Sequence, residues 1–159
     1  MNKIEQILKQ NIKALGPISI KEYMSLVLYH PTLGYYSKPK IIGNSGDFIT
    51  APEISQVFGE LLANWIILYS KNKPKNEFNY LELGPGKGTL SQDIFRTILK
   101  LDKNLSASIK NIYFFEKSKS FIKELKKKFF NAVFIQDFSE IKKTNTIVVA
   151  NEFFDALPI

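Results

Sequence analysis

One stretch restricts the fold more than any other. Residues 80–90 read YLELGPGKGTL, an apolar run that opens into glycines at Gly84, Gly86 and Gly88. Beyond it, TLSQDIFRTILKL places Leu90, Ile94, Ile98 and Leu101 at helical spacing. A strand that passes into a helix through bare backbone is how doubly wound α/β sheets bind ligands beyond the carboxyl ends of their strands.

The following sequence keeps that rhythm. NIYFFE reads as a strand, SFIKELKKKFF as a helix, and AVFIQ and TIVVAN as two more strands. This alternation predicts an α/β doubly wound, parallel sheet. TIVVAN is apolar throughout and is expected to be buried on both faces. Only residues 137–145 separate FIQ from TIVV, near the minimum for a parallel crossover, so a helix around SEIKK is limited to about one turn.

Upstream the pattern is helical. Ile4, Ile7, Leu8, Ile12 and Leu15 share a helical face that Gly16-Pro17 ends. SIKEYMSLVLYH opens on a capping box, Ser19 with Glu22, and stops at His30 because Pro31 disfavours a helical residue before it. Residues 31–49 read as a long loop. A second box, Thr50 with Glu53 and with Pro52 in the first turn, predicts one helix from Thr50 to about Ser70. The expected organisation is a helical and loop extension over residues 1–75 and a sheet domain over 76–159.

With 159 residues, 45% of them hydrophobic, the chain can bury one sizeable core. It has no cysteine, which excludes disulfides and thiolate chemistry, and its single histidine, His30, speaks against a histidine metal site; before Pro31 it reads as a turn hydrogen bond, with a general base as the alternative. The longest apolar run, LLANWIILY, is too short to cross a bilayer, and the N-terminus lacks a signal-like run. A soluble, cytoplasmic protein is expected. A net charge of +7 raises a nucleic-acid partner, yet Arg96 is the only arginine, and arginine is the residue that reads guanine and stacks on bases. The lysines around Phe121, Ile122, Leu125 and Phe129 read as a solvated helix face before they read as a phosphate stripe.

Three ligands compete for the glycine loop. A nucleoside triphosphate needs a hydroxyl residue after the loop lysine, but Lys87 is followed by Gly88. A dinucleotide wants G-x-G-x-x-G and donated N–H groups, whereas the spacing is G-x-G-x-G and Pro85 removes a donor. S-adenosylmethionine carries no phosphate; it asks for close backbone approach and nearby acids. Glu82 precedes the loop and can offset positive charge. Glu116 ends the second strand, where an acid can accept from ribose hydroxyls, and Asp137 ends the third, near the place of an adenine amino group. Strand-end acids also cap following helices, and that alternative stands for all three.

GDFITAPEISQVFGELLANW, LELGPGKGTL and VVANEFFDALPI, with YMSLVLYHPTLGYYS upstream, resemble the MidA-like methyltransferases, a family that includes a mitochondrial complex I assembly factor acting on a protein arginine. The resemblance implies a Rossmann-like methyltransferase sheet, here about four strands, with an N-terminal helical extension. It implies S-adenosylmethionine as cofactor, protein-arginine methylation, a protein substrate such as a complex I subunit, and a mitochondrial matrix location for eukaryotic relatives. The family's glycine motif falls on Gly84, Gly86 and Gly88, and its GDF-TAPE block puts Asp47, Thr50 and Pro52 over the cofactor cleft. A guanidinium is a poor nucleophile unless carboxylates orient it and hold its charge. Glu152 and Asp155 are the candidates, with Asn151 as orienting amide; a polar strand-to-helix turn is the alternative. Family members run well past DALPI, so a fragment is expected, with one bare strand edge and a separately encoded second half, or else a non-catalytic binding module.

Overall fold

The structure, a computed structural model, describes residues 2–37, 49–71 and 77–159; Asp47 lies outside the described residues. Helix α1 (Lys3–Leu15) begins at Asn2, whose side chain accepts the Ile4 N–H, and ends at Gly16 with φ 87°. Helix α2 (Ile20–Tyr29) carries the expected capping box: Ser19 Oγ accepts the Glu22 N–H at 3.2 Å and the Glu22 carboxylate accepts the Ser19 N–H at 2.8 Å. It stops at His30, whose Nδ1 accepts the N–H groups of Thr32 and Leu33 at 3.3 and 3.2 Å, so the histidine serves a turn. A 3₁₀ turn, Tyr35–Ser37, follows.

The continuous helix expected from Thr50 is not what forms. Two helices, α3 (Ala51–Ile54) and α4 (Gln56–Lys71), are separated by Ser55 in extended geometry, φ −152° and ψ 131°. The Thr50 side chain makes no cap bond, the Glu53 N–H going to the Thr50 carbonyl at 2.9 Å, and the Glu53 carboxylate that would complete the box is drawn away to Thr89 and Lys87 across the site described below. A box needs both partners, and the tertiary contact wins one of them.

The remaining elements are β1 (Phe78–Leu83), α5 (Thr89–Leu101), α6 (Lys103–Ser108), β2 (Ile109–Phe115), α7 (Lys119–Lys128), β3 (Val133–Ile135) and β4 (Thr146–Ala150). The short α6 carries no apolar periodicity; its cap is Asp102, which accepts the Leu105 N–H at 2.9 Å. Among the described residues the strands form one parallel sheet in the order β3-β2-β1-β4. Helices α4, α5 and α7 cover one face. Ala63, Ile66, Tyr80, Ile94, Phe114 and Leu125 meet there, so α4 shares a core with the sheet.

Parallel crossovers are right-handed, so the connection that reverses direction from β3 back to β4 must pass over the other face. It does: Ile141 packs with Leu81, Leu83, Tyr113 and Ile135, and the Lys142 N–H reaches the Tyr113 hydroxyl at 3.2 Å. Its only helical piece is a 3₁₀ turn, Phe138–Glu140, as the spacing predicts. Strand β4 is not buried on both faces as its composition suggests. Among the described residues it pairs only with β1, and Val148 is 54% exposed while its partner Leu81 is 3% exposed.

Candidate active site

In this strand order the crossovers diverge between β1 and β4, the switch point where open α/β sheets take their ligands. A hollow of about 180 Å³ opens there. Its wall contains Glu82 and the glycine loop from β1, Asn151, Glu152 and Asp155 after β4, Thr50, Pro52 and Glu53 at α3, and Tyr36.

Three consecutive demands on backbone explain the loop. Gly84, Gly86 and Gly88 all have positive φ, 65°, 53° and 76°, a region costly for residues with a Cβ. Two of them also permit packing: a Cβ on Gly84 would lie 2.8 Å from Phe153 Cδ2, and one on Gly88 would lie 2.6 Å from Leu125 Cδ2. Phe153 therefore packs against the loop, with the Phe115 ring edge-on at 6.1 Å.

Glu82 is 3% exposed, and its carboxylate accepts from the Ser91 hydroxyl and, at 3.2 Å, from the Tyr80 hydroxyl. Burial pushes its carboxyl up to about 7; the two hydroxyls oppose that rise and the charge of Glu116 adds to it. Burial likewise raises Tyr80, with the charge of Glu82 adding to the shift. Glu116 stands behind the loop rather than in the wall. Burial raises its carboxyl, while the N–H groups of Ser118, Gly86 and Lys117 offset part of that rise, so it ties the end of β2 to the loop.

The acid after β3 is placed differently. Asp137 is exposed and does not line the hollow; it accepts the Ser139 N–H at 2.7 Å and caps the 3₁₀ turn, with Glu140 accepting its own N–H at 2.9 Å. The Ser139 bonds hold its carboxyl below the usual range.

After β4 the backbone turns sharply. Glu152 has φ 48°, the only non-glycine positive φ among the described residues, a conformation that costs of order 1–3 kcal/mol and persists where its surroundings impose it. The 3₁₀ turn that follows, Phe154–Ala156, has Phe153 at its N-cap position, whose side chain offers no acceptor.

Two wall residues escape sequence periodicity. Glu53 accepts from the Thr89 hydroxyl and meets Lys87 Nζ at 3.5 Å, clamping α3 to the loop; Thr50 and Pro52 come with it. Tyr36 arrives from the turn after α2, and its only sequence signal is the aromatic pair Tyr35-Tyr36 beside Gly34 in the YHPTLGYYS block. Among the described residues no group of His, Asp or Glu could hold a metal ion, and no helix is long and apolar enough to cross a membrane.

A family profile described as "Putative S-adenosyl-L-methionine-dependent methyltransferase" matches residues 61–159. The chain belongs to this family. It is 35% identical over 177 aligned positions to a human protein named protein arginine methyltransferase NDUFAF7, mitochondrial, covering 96% of this chain and 40% of that protein. The Xenopus tropicalis protein of the same name is 35% identical over 174 positions, with 93% and 40% covered. The Drosophila melanogaster homolog is 32% identical over 177 positions, with 96% and 40% covered. The chain thus spans about two-fifths of the length of these relatives. In fold it is similar to a Burkholderia thailandensis crystal structure bound to S-adenosyl-homocysteine, with TM-score 0.76, 24% identity, and coverage of 98% of this chain and 42% of that one. A second crystal structure from the same organism gives a TM-score of 0.73 at 23% identity. Family membership agrees with the resemblance carried by LELGPGKGTL and NEFFDALPI, and the structural likeness agrees with the parallel α/β sheet expected from the strand and helix alternation.

Proposed function

We propose that the hollow between β1 and β4 binds S-adenosylmethionine and that the chain takes part in methylating a protein arginine. The observation that carries this is the buried Glu82 beside three positive-φ glycines at the switch point. The fit is chemical. A carboxyl raised to about 7 by burial is relieved by a cation, and a loop with Pro85 at its tip offers one donor fewer to a phosphate. A cationic, phosphate-free adenosyl ligand satisfies both conditions.

Bound there, such a cofactor supplies an electrophilic methyl group on a sulfonium. Glu82 would neutralise the cofactor's positive charge, and the bare loop would let the ligand approach the backbone closely. Asn151 would orient the acceptor through its amide. Glu152 and Asp155 would align a guanidinium and hold the charge that remains after transfer, which is chiefly positioning and electrostatics. Thr50 and Pro52 would close over the cofactor, held by the Glu53 clamp. Glu116 would act on the ribose side once it leaves the loop N–H groups. The relatives named as arginine methyltransferases support arginine as the acceptor, and the family resemblance supports a respiratory complex I subunit as the protein that carries it.

Calorimetry with S-adenosylmethionine tests this, with the parent chain compared with Gly86→Val. One saturable site in the parent and at least about a tenfold loss in the folded variant are expected, since any Cβ at φ 53° reshapes the loop. No binding by the folded parent would overturn the proposal.

A further inference from the structure

The hollow has two chemically different ends, and the end away from the glycine loop is partly built by the N-terminal extension. Tyr36 forms part of the wall that also contains Asn151, Glu152, Asp155 and Ala156. Its position is secured from several sides. The Tyr29 hydroxyl donates to the Ala156 carbonyl at 2.7 Å, which docks α2 on the segment after β4. The Tyr29 and Tyr36 rings lie 5.4 Å apart, and the Tyr35 ring meets Tyr36 edge-on at 5.5 Å.

Among the described residues, the acids at this end have no cationic partner. In a chain with 22 lysines and arginines, neither Glu152 nor Asp155 makes an ion pair among the described residues. The nearby cations have other places: Lys87 pairs with Glu53 at 3.5 Å, and Lys117 lies over the Tyr29 ring at 5.9 Å. The charge of Asp155 is close enough to add to the rise that burial gives the Tyr36 hydroxyl. An aromatic ring beside two carboxylates that make no ion pair among the described residues is a receptor for a planar cation, which can stack on the ring while its N–H groups meet the acids.

We infer that Tyr36 is a specificity-determining residue whose ring forms one wall of a subsite for a guanidinium, with Glu152 and Asp155 receiving the charge. This rests on the cofactor lying at the glycine-loop end of the same hollow. The N-terminal extension is then part of acceptor recognition, docked through Tyr29 of α2 on the segment after β4.

The test titrates the chain, saturated with S-adenosyl-homocysteine, with an end-blocked Gly-Arg-Gly peptide and with its citrulline and lysine counterparts. The arginine peptide binds, and the citrulline peptide, equal in shape but uncharged, binds at least about tenfold more weakly. Lysine, a compact ion without a stacking plane, binds more weakly than arginine. Tyr36→Ala lowers arginine affinity by about threefold to thirtyfold, the range of a cation held against a ring. Tyr36→Phe keeps the ring and stays within about twofold. Glu152→Gln, which leaves Tyr36 untouched, also weakens the arginine peptide, and circular dichroism confirms that each variant is folded. Equal binding of arginine and citrulline, no arginine binding, or a folded Tyr36→Ala indistinguishable from the parent would each overturn the inference. If S-adenosyl-homocysteine fails to bind while the arginine preference persists, the cofactor reading falls and the cation subsite stands.

Discussion

The two strand ends that form the hollow are built on opposite terms. Every residue of β1 is buried, it has a neighbour on each side, and its one acid is held by two hydroxyls from inside the core. Strand β4 has a single neighbour among the described residues, alternates between partial burial and exposure, and runs into the strained Glu152. The glycine-loop end is therefore preorganised by the same contacts that hold the fold together. The end after β4 gets its chemistry from side chains facing solvent, held by fewer contacts. Binding of a constant cofactor suits the first, and accommodation of a protein side chain suits the second.

Substitutions at the two ends should differ in sign as well as size. The largest effect belongs to Gly88→Val. Its side chain would meet Leu125 and Phe129 at φ 76°, so a loss of about 3 kcal/mol is expected, or about 10 °C in melting temperature, read by a thermal scan. An unchanged melting temperature would mean that the loop is not part of the core.

Next comes the pH dependence of Glu82. Its folded-state value is raised from 4.5 to about 7, so its contribution to stability is present in full below 4.5 and is lost as pH rises through 7. The total is of order 3 kcal/mol. Urea titrations of the unliganded chain at pH 5 and pH 8 should show that loss in the parent, and a flatter profile in Glu82→Gln. Cofactor binding should run the other way and strengthen as pH rises through 6 to 7, because a cation beside Glu82 favours its ionised form.

At the end after β4 the expected sign reverses. Glu152→Gly removes a positive-φ penalty and should stabilise the fold by about 0.5–1 kcal/mol, net of the greater freedom of glycine in the unfolded chain, while weakening acceptor binding. A destabilised variant would show that the turn is held by the glutamate rather than imposed on it. Smallest is Asp137→Ala. The acid caps a 3₁₀ turn outside the hollow, and S-adenosyl-homocysteine affinity measured by calorimetry should not change.

Local physics made the first of these ends legible in sequence and left much of the second obscure. The β1 run, the glycine spacing and the periodicity of α5 are all consequences of neighbours in the chain. So is the Ser19 box, and the one-turn limit between β3 and β4 follows from length alone. What escaped depends on distance in sequence. Glu53 fits a capping box until Thr89, 36 residues away, competes for its carboxylate. Tyr36 lines the site beside Tyr29, whose hydroxyl bonds to Ala156, 127 residues on. Composition marked TIVVA as buried, but burial on both faces requires layers on both sides, and Val148 has little over it. Asp137 shares a strand-end position with Glu82 and Glu116, yet β3 is the far edge of the sheet from the switch point, so the acid there faces a turn.

The central claim is that a cationic, phosphate-free adenosyl ligand binds at the glycine-loop end of the hollow between β1 and β4. Amide resonances of the labelled chain, followed while S-adenosyl-homocysteine is added, test it most directly. Shifts of Glu82, Gly84, Gly86 and Lys87 that saturate together at one equivalent, with Asp137 and Ser139 unmoved, are the predicted result. Saturation confined to residues away from the glycine loop, or no shift in a chain that remains folded, would contradict it.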